Sequence, residues 1–145
     1  MERDVPEIRI DFSLIFDNDI SMEVITKEIG FFPTDCKDKK NQKKSLFKDD
    51  TLEGYWSIET DAIRTFFLED VTKILINTIK PHLEKIKDAV EKYSGTVDFC
   101  IVSEFSSLDT PALCFDREFL DVVNFLNATI QFDIYVKEST KKETI

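Results

Sequence analysis

Asp11, Asp98 and Asp133 are the residues whose types and spacing come closest to a chemical constellation. Each takes a polar position where apolar and polar residues alternate: Asp11 between Ile10 and Phe12, Asp98 between Val97 and Phe99, Asp133 between Phe132 and Ile134. A period of two puts such residues on one face of a strand, so neighbouring strands would gather carboxylates on an open sheet face. Gathered carboxylates bind a hard cation or exchange protons with mutually shifted pKa values. Spread over a solvated face they do neither, and because alternation demands some polar residue there, the solvated face is the favoured reading. Tyr135 shares the polar phase of Asp133, and Arg9, Ser13 and Gln131 fit the same face, a set that suits protein recognition equally well.

A second group lies between Ile29 and Glu59. Ile29-Gly30-Phe31-Phe32-Pro33-Thr34 leads into a lysine-rich stretch and then Tyr55-Trp56-Ser57-Ile58-Glu59. Pro33 sets the exit of the chain from a helix, Thr34 can bond a turn backbone, and Trp56 can bury a large aromatic beside them. Thr34, Tyr55, Trp56 and Glu59 are thus candidate walls of a small-ligand cleft, although a structural lock of loop to sheet is the stronger reading. From Lys37 to Lys48 there are six lysines and one acid, read as a solvated loop in which Leu46 and Phe47 are the anchored part. Cys36 sits among Lys37, Lys39 and Lys40, which would favour its thiolate in an exposed loop, although an incidental loop cysteine is the favoured reading.

Catalytic machinery is not signalled. His82, the only histidine, sits beside Pro81 on a helix as a surface residue. There is no G-x-S-x-G, Walker loop, G-x-G-x-x-G or H-E-x-x-H, and three glycines provide little for a phosphate cradle. Cys36, Cys100 and Cys114 form neither a metal pair nor a complete disulfide framework; Cys100 and Cys114 are read as small buried apolar residues. We expect no catalytic set, cofactor or metal. The net charge of -10 works against nucleic-acid binding and steers basic partners. No stretch has the length of a membrane span, and Met1-Glu2-Arg3-Asp4 does not begin a signal peptide, so the expected location is the cytoplasm.

The elements that must position these residues follow from periodicity and capping. Glu7–Phe16 alternates as a strand. Ser21 caps a helix over Met22–Ile29 that Gly30 ends, after which Phe31 and Phe32 are expected to point back at the core. Gly54–Thr60 is a second strand, with Trp56 and Ile58 on one face. Leu68 to Tyr93 carries an apolar stripe at helical spacing interrupted by Pro81, which predicts a kink or two abutting helices, and Ser94-Gly95 stops it. Thr96–Phe105 is a third strand and Ala112–Phe115 a short fourth. Asp116 caps a helix over Arg117–Leu126, buried through Phe119, Leu120, Val123 and Leu126, and Asn127 ends it. Thr129–Val136 is the last strand, with Ile130, Phe132, Ile134 and Val136 inward, and 137–145 frays.

Clean alternation in the long strands predicts an α+β protein. It has a mainly antiparallel sheet of four to five strands with helices on one face, related to the ferredoxin-like or split strand-helix-strand plan. At 145 residues a single domain is expected, with its core over about 7–136.

Ile29-Gly30 with Pro33-Thr34, then Trp56-Ser57-Ile58-Glu59, a long helix, and finally Leu126-Asn127 with Ile134-Tyr135 resemble the bacterial family known as domain of unknown function 4279, over about Glu7 to Val136. The resemblance implies a small cytosolic bacterial protein and carries no activity with it. In that pattern the segment before Trp-Ser commonly holds a basic residue with glycine, whereas here it is lysine-rich and lacks glycine until Gly54. The leading functional expectation is a non-enzymatic interaction module, such as an immunity or regulatory partner of a basic protein. The rivals are a ligand-binding protein or enzyme using the Pro33-Thr34 and Trp56 cleft, and a homodimer through the open face or an edge strand.

Overall fold

The computed structural model describes residues 3–41 and 53–138. Ten elements organise them: β1 (Glu7–Phe16), α1 (Met22–Ile29), β2 (Asp35–Lys37), β3 (Gly54–Glu59), β4 (Ile63–Arg64), α2 (Glu69–Ile79), α3 (Leu83–Lys92), β5 (Thr96–Ser106), α4 (Arg117–Phe125) and β6 (Thr129–Lys137). The class is α+β. The sheet runs β2-β3-β1-β5-β6, with β4 paired to the start of β1. Every pairing is antiparallel except β5–β6.

Local chemistry sets the helix limits. Ser21, extended at φ -71°, accepts the Glu23 N–H, and Gly30 takes φ +76° to close α1 with a bond to the Thr26 carbonyl, a backbone state that costs glycine nothing. Asp116 caps α4 by accepting the Phe119 N–H at 2.9 Å. Pro81 falls in a 3-10 turn, Lys80–His82, that separates α2 from α3, so the long stripe becomes two abutting helices. At the end of α3 Ser94, not Gly95, takes the positive φ. Gly95 answers a packing demand: a Cβ there would meet the Phe16 ring at 2.5 Å.

The helices cover one face of the sheet. Ile8, Ile10, Phe12, Leu14 and Phe16 of β1 point into this layer with Val97, Phe99 and Ile101 of β5 and Trp56 of β3. Phe12 packs on Phe99 with ring centroids 4.9 Å apart, and Phe99 meets Phe119 of α4 edge-on at 5.1 Å. Burying each such side chain contributes roughly 1.5–3 kcal/mol, so β1 and β5 are the centre of the fold.

Several expectations change. The sheet has six strands among the described residues. Asp35–Lys37, read as the start of a loop, pairs with β3, because the extended backbone forced by Pro33 continues as an edge strand. Leu46 and Phe47 lie outside the described residues, as does most of the 137–145 tail, while Lys137 itself belongs to β6. Ala112–Phe115 is no strand; it makes one bridge, Ala112 to Phe67. Leu120 is exposed and Val122 takes its place in the core. Phe31 is half-buried against His82 at 5.0 Å, but Phe32 is 84% exposed. The largest departure is β6, whose Phe132, Ile134 and Val136 are 44%, 47% and 59% exposed instead of inward. α4 turns its buried face, Phe119 and Val122, toward the core and leaves this edge strand open.

The two strand-helix-strand units also differ in kind. β1 and β3, separated in the chain by α1 and β2, are adjacent and antiparallel. β5 and β6, joined through α4, are adjacent and parallel, which requires a crossover.

Candidate functional site

The uncovered face of the sheet collects the polar phase of every long strand. Register places Ser13 opposite both Ser57 and Asp98, and Asp98 opposite Thr129. One row further along, Asp11 stands opposite Glu59 and Cys100, and Cys100 opposite Gln131. In the next row Arg9, Val102 and Asp133 align. The three aspartates singled out from the sequence therefore share one face, as alternation requires. They surround Cys100 and not one another: Asp11 is across the strand, Asp98 two residues back, and Asp133 diagonal on β6.

Electrostatics reports that arrangement. The Cys100 thiol is pushed up, first by partial burial and then by Asp11, Asp98 and Asp133, with Arg9 opposing. Cys100 is half-buried and Cys114 exposed, so neither is the buried apolar residue expected. Among the described residues no three His, Cys, Asp or Glu side chains converge as a metal site.

Each aspartate is tied differently. Arg9 Nε and Nη2 donate to the two Asp11 carboxylate oxygens at 3.3 and 3.4 Å, and this bond chiefly holds the guanidinium further above its ordinary value. Asp98 accepts from the Thr129 hydroxyl at 2.7 Å. Asp133 accepts from the Tyr135 hydroxyl at 2.9 Å, and that bond leads the rise in the phenol's pKa. At the other end of the face, Tyr55 is raised by burial and by its 3.1 Å bond to Asp35. Glu104 pairs with Lys137 at 3.4 Å. A shallow hollow of about 320 Å³ lies between Arg9, Glu7, Glu104 and Tyr135, and a broader depression of about 470 Å³ between Ser13, Asp35, Tyr55 and Glu59.

The second group separates. Tyr55 and Glu59 belong to this open face. Trp56 does not: it is fully buried, and its indole N–H donates to the Thr26 hydroxyl at 3.0 Å. Strand alternation turns it to the helix layer, so it offers no surface to a ligand and is removed from the candidate site. Thr34 is exposed but already engaged, its N–H bonding the Ser57 carbonyl at 2.8 Å and its hydroxyl accepting the Glu59 N–H at 3.1 Å. It extends the β2–β3 edge. A groove of about 310 Å³ does run beside Pro33 and Thr34, walled by Phe32, Ile74 and Thr78, but Trp56 is not among its walls. Cys36 is exposed, and burial followed by Asp35 and Asp38 raises its thiol, contrary to the lysine-favoured thiolate.

Cys100, Asp35 and Glu104 join the aspartates as site residues only in the folded structure. The phase of Asp98 continues through Cys100 and Val102 to Glu104, so alternation carries the signal for Cys100 and Glu104. Asp35 has no such signal, because a three-residue strand is too short to show a period.

Among the described residues, a mainly antiparallel sheet with helices on one side and an uncovered, acidic face on the other defines an α+β protein with an open polar platform. The family model described as Domain of unknown function (DUF4279) matches residues 6–137, and the chain belongs to that family. No curated protein and no solved structure matches it. Among the described residues no helix is long and apolar enough to cross a membrane.

Proposed function

We propose that this chain is a non-enzymatic interaction module of the bacterial cytoplasm whose open acidic face binds a basic protein, as an immunity protein or regulatory partner would. One observation carries the reading. On this face Arg9 and Lys137 are already paired with Asp11 and Glu104, whereas Asp98, Asp133 and Asp35 are held by the neutral hydroxyls of Thr129, Tyr135 and Tyr55. Such bonds orient a carboxylate without cancelling its charge. A fixed array of this kind complements Lys and Arg side chains, steers encounter, and weakens with salt. Tyr55 and Tyr135 provide the aromatic surface that recognition sites favour.

The test is capture from host lysate by the wild-type protein and by Asp98→Asn/Asp133→Asn at low and high salt. Retention of a specific basic protein by the wild type, its release by salt and its loss with the double variant are expected. Absence of any specific basic partner, or retention indifferent to both salt and substitution, overturns the reading.

A further inference from the structure

We propose that β6 is a homodimer seam: the β6 edges of two copies pair antiparallel about a two-fold axis at Ile134 and make one continuous sheet. β6 is the last strand of the sheet order, nine residues long, and carries no proline. Long, apolar, unprotected edges are templates for further pairing, and soluble proteins blunt or cover them. Among the described residues no strand pairs with its outer edge, and Phe115 reaches only the Phe132 end of its apolar row, ring centroids 5.9 Å apart.

The backbone is set for that pairing. The Lys137 carbonyl accepts the Ser107 N–H on the β5 side. Successive residues of a strand point their N–H and C=O to alternate sides. The odd-numbered residues of β6 therefore bond toward β5, and Ile130, Phe132, Ile134 and Val136 present their backbone groups outward. Of these, Phe132, Ile134 and Val136 carry exposed apolar side chains on the helix side, while Ile130 is partly buried against the core.

Charge and apolar contact together select the occupant and the register. A two-fold axis that keeps the same face up pairs residues whose numbers have a constant even sum. Centred on Asp133, it would set two carboxylates directly opposite, which is destabilising. Centred on Phe132, it would leave Val136, the most exposed of the apolar row, opposite the small Ala128. Centred on Tyr135, it would set Asp133 against the partner's Lys137 but leave Phe132 opposite the partner's Glu138. Centred on Ile134, it places Phe132 against the partner's Val136 and Ile134 against the partner's Ile134. On the open face, Asp133 then meets the partner's Tyr135 and Gln131 meets the partner's Lys137. No like charges are opposed. All three exposed apolar side chains close on their counterparts, and outward N–H and C=O groups meet their equivalents. A second copy of this strand supplies each of those complements, so it is the occupant. The inference stands apart from the basic-partner reading, because the dimer would form without any partner and would join two acidic faces into one.

Light scattering across a concentration series gives the first readout, with a mass twice 16.9 kDa expected for the wild type. Ile134→Lys puts two ammonium groups at the axis, and Ile134→Pro removes an outward N–H while leaving the β5–β6 ladder whole; both are expected to run at the monomer mass with an unchanged far-ultraviolet spectrum. In a Cys36→Ser/Cys114→Ser background, Ile134→Cys is expected to form an intermolecular disulfide, because directly paired residues lie about 5.5 Å apart between Cα atoms, within disulfide reach. This variant decides the matter should either substitution fail to fold. A wild-type monomer at every concentration, a dimer that folded Ile134→Lys and Ile134→Pro leave intact, or no crosslink at position 134 overturns the proposal.

Discussion

The indole nitrogen of Trp56 donates to the Thr26 hydroxyl at 3.0 Å, and that hydroxyl donates on to the Met22 carbonyl at 2.9 Å. A side chain on β3 is thereby fastened to the backbone of α1 through one oxygen. Thr26→Val keeps the shape and leaves a buried N–H unpaired, so it should destabilise by about 1–3 kcal/mol. Trp56→Ala should cost about 3–5 kcal/mol through the cavity it leaves. Urea unfolding measures both, and a Trp56→Ala protein as stable as wild type would contradict this packing.

Gly95 and Gly30 should fail for different reasons. A Cβ at Gly95 collides with the Phe16 ring at 2.5 and 2.8 Å, so Gly95→Ala overpacks the core and should destabilise by about 1–3 kcal/mol. At Gly30 the nearest atom to a Cβ is Lys85 Nζ at 3.8 Å, but φ is +76°. Gly30→Ala should therefore cost about 1 kcal/mol through backbone strain alone, and Gly30→Asn should recover part of it. Thermal unfolding of the three variants separates the two causes.

Ser103 is fully buried on β5, and its hydroxyl has no hydrogen-bond partner among the described residues. Register sets it between Ile8 and Ile134. Removing an unpaired buried hydroxyl avoids its desolvation cost, so Ser103→Ala should be neutral or stabilising by up to about 1 kcal/mol. A clear loss of stability in denaturant titration would show that the hydroxyl is satisfied in solution.

Glu28 accepts from Lys92 Nζ and from the Tyr93 hydroxyl, each at 2.7 Å. The Lys92 bond first and the Tyr93 bond second hold its carboxyl below the ordinary value of 4.5. A folded pKa below the unfolded one stabilises the fold above the unfolded value, and this contribution fades as pH falls through the folded value. Glu28→Gln should thus be less stable than wild type at neutral pH, with the gap narrowing as pH falls below the ordinary carboxylate range. Urea melts of both proteins across that range check it; a gap that is constant with pH would place the effect outside ionisation.

Alkylation of Cys100 reads out the acidic ring. Burial first, then Asp11, Asp98 and Asp133, raise its pKa, so Asp133→Asn or Asp98→Asn should increase the thiolate fraction and speed iodoacetamide labelling at mildly alkaline pH. A Cys36→Ser/Cys114→Ser background isolates the signal. Unchanged rates would mean that these carboxylates lie farther from the sulfur than the register implies.

Alternation and capping, read from residues a few positions apart, determined β1 to the residue, the polar phase shared by Asp11, Asp98 and Asp133, the caps at Ser21 and Asp116, and the break at Pro81. These are local properties, set by dihedral preference and by which neighbours share a strand face or a helix stripe. Only the tertiary structure decided which strands lie side by side, and with that everything about the site: Cys100 enclosed by the three aspartates, Asp35 recruited through the short β2, and Trp56 turned away to Thr26. The alternation of β6 equals that of β1, yet Phe132, Ile134 and Val136 stay exposed while Ile8, Ile10 and Phe12 are buried. Period two states which side chains share a face; whether another layer covers that face depends on contacts between residues far apart in the chain, because burial belongs to the packed assembly of elements and not to any one of them.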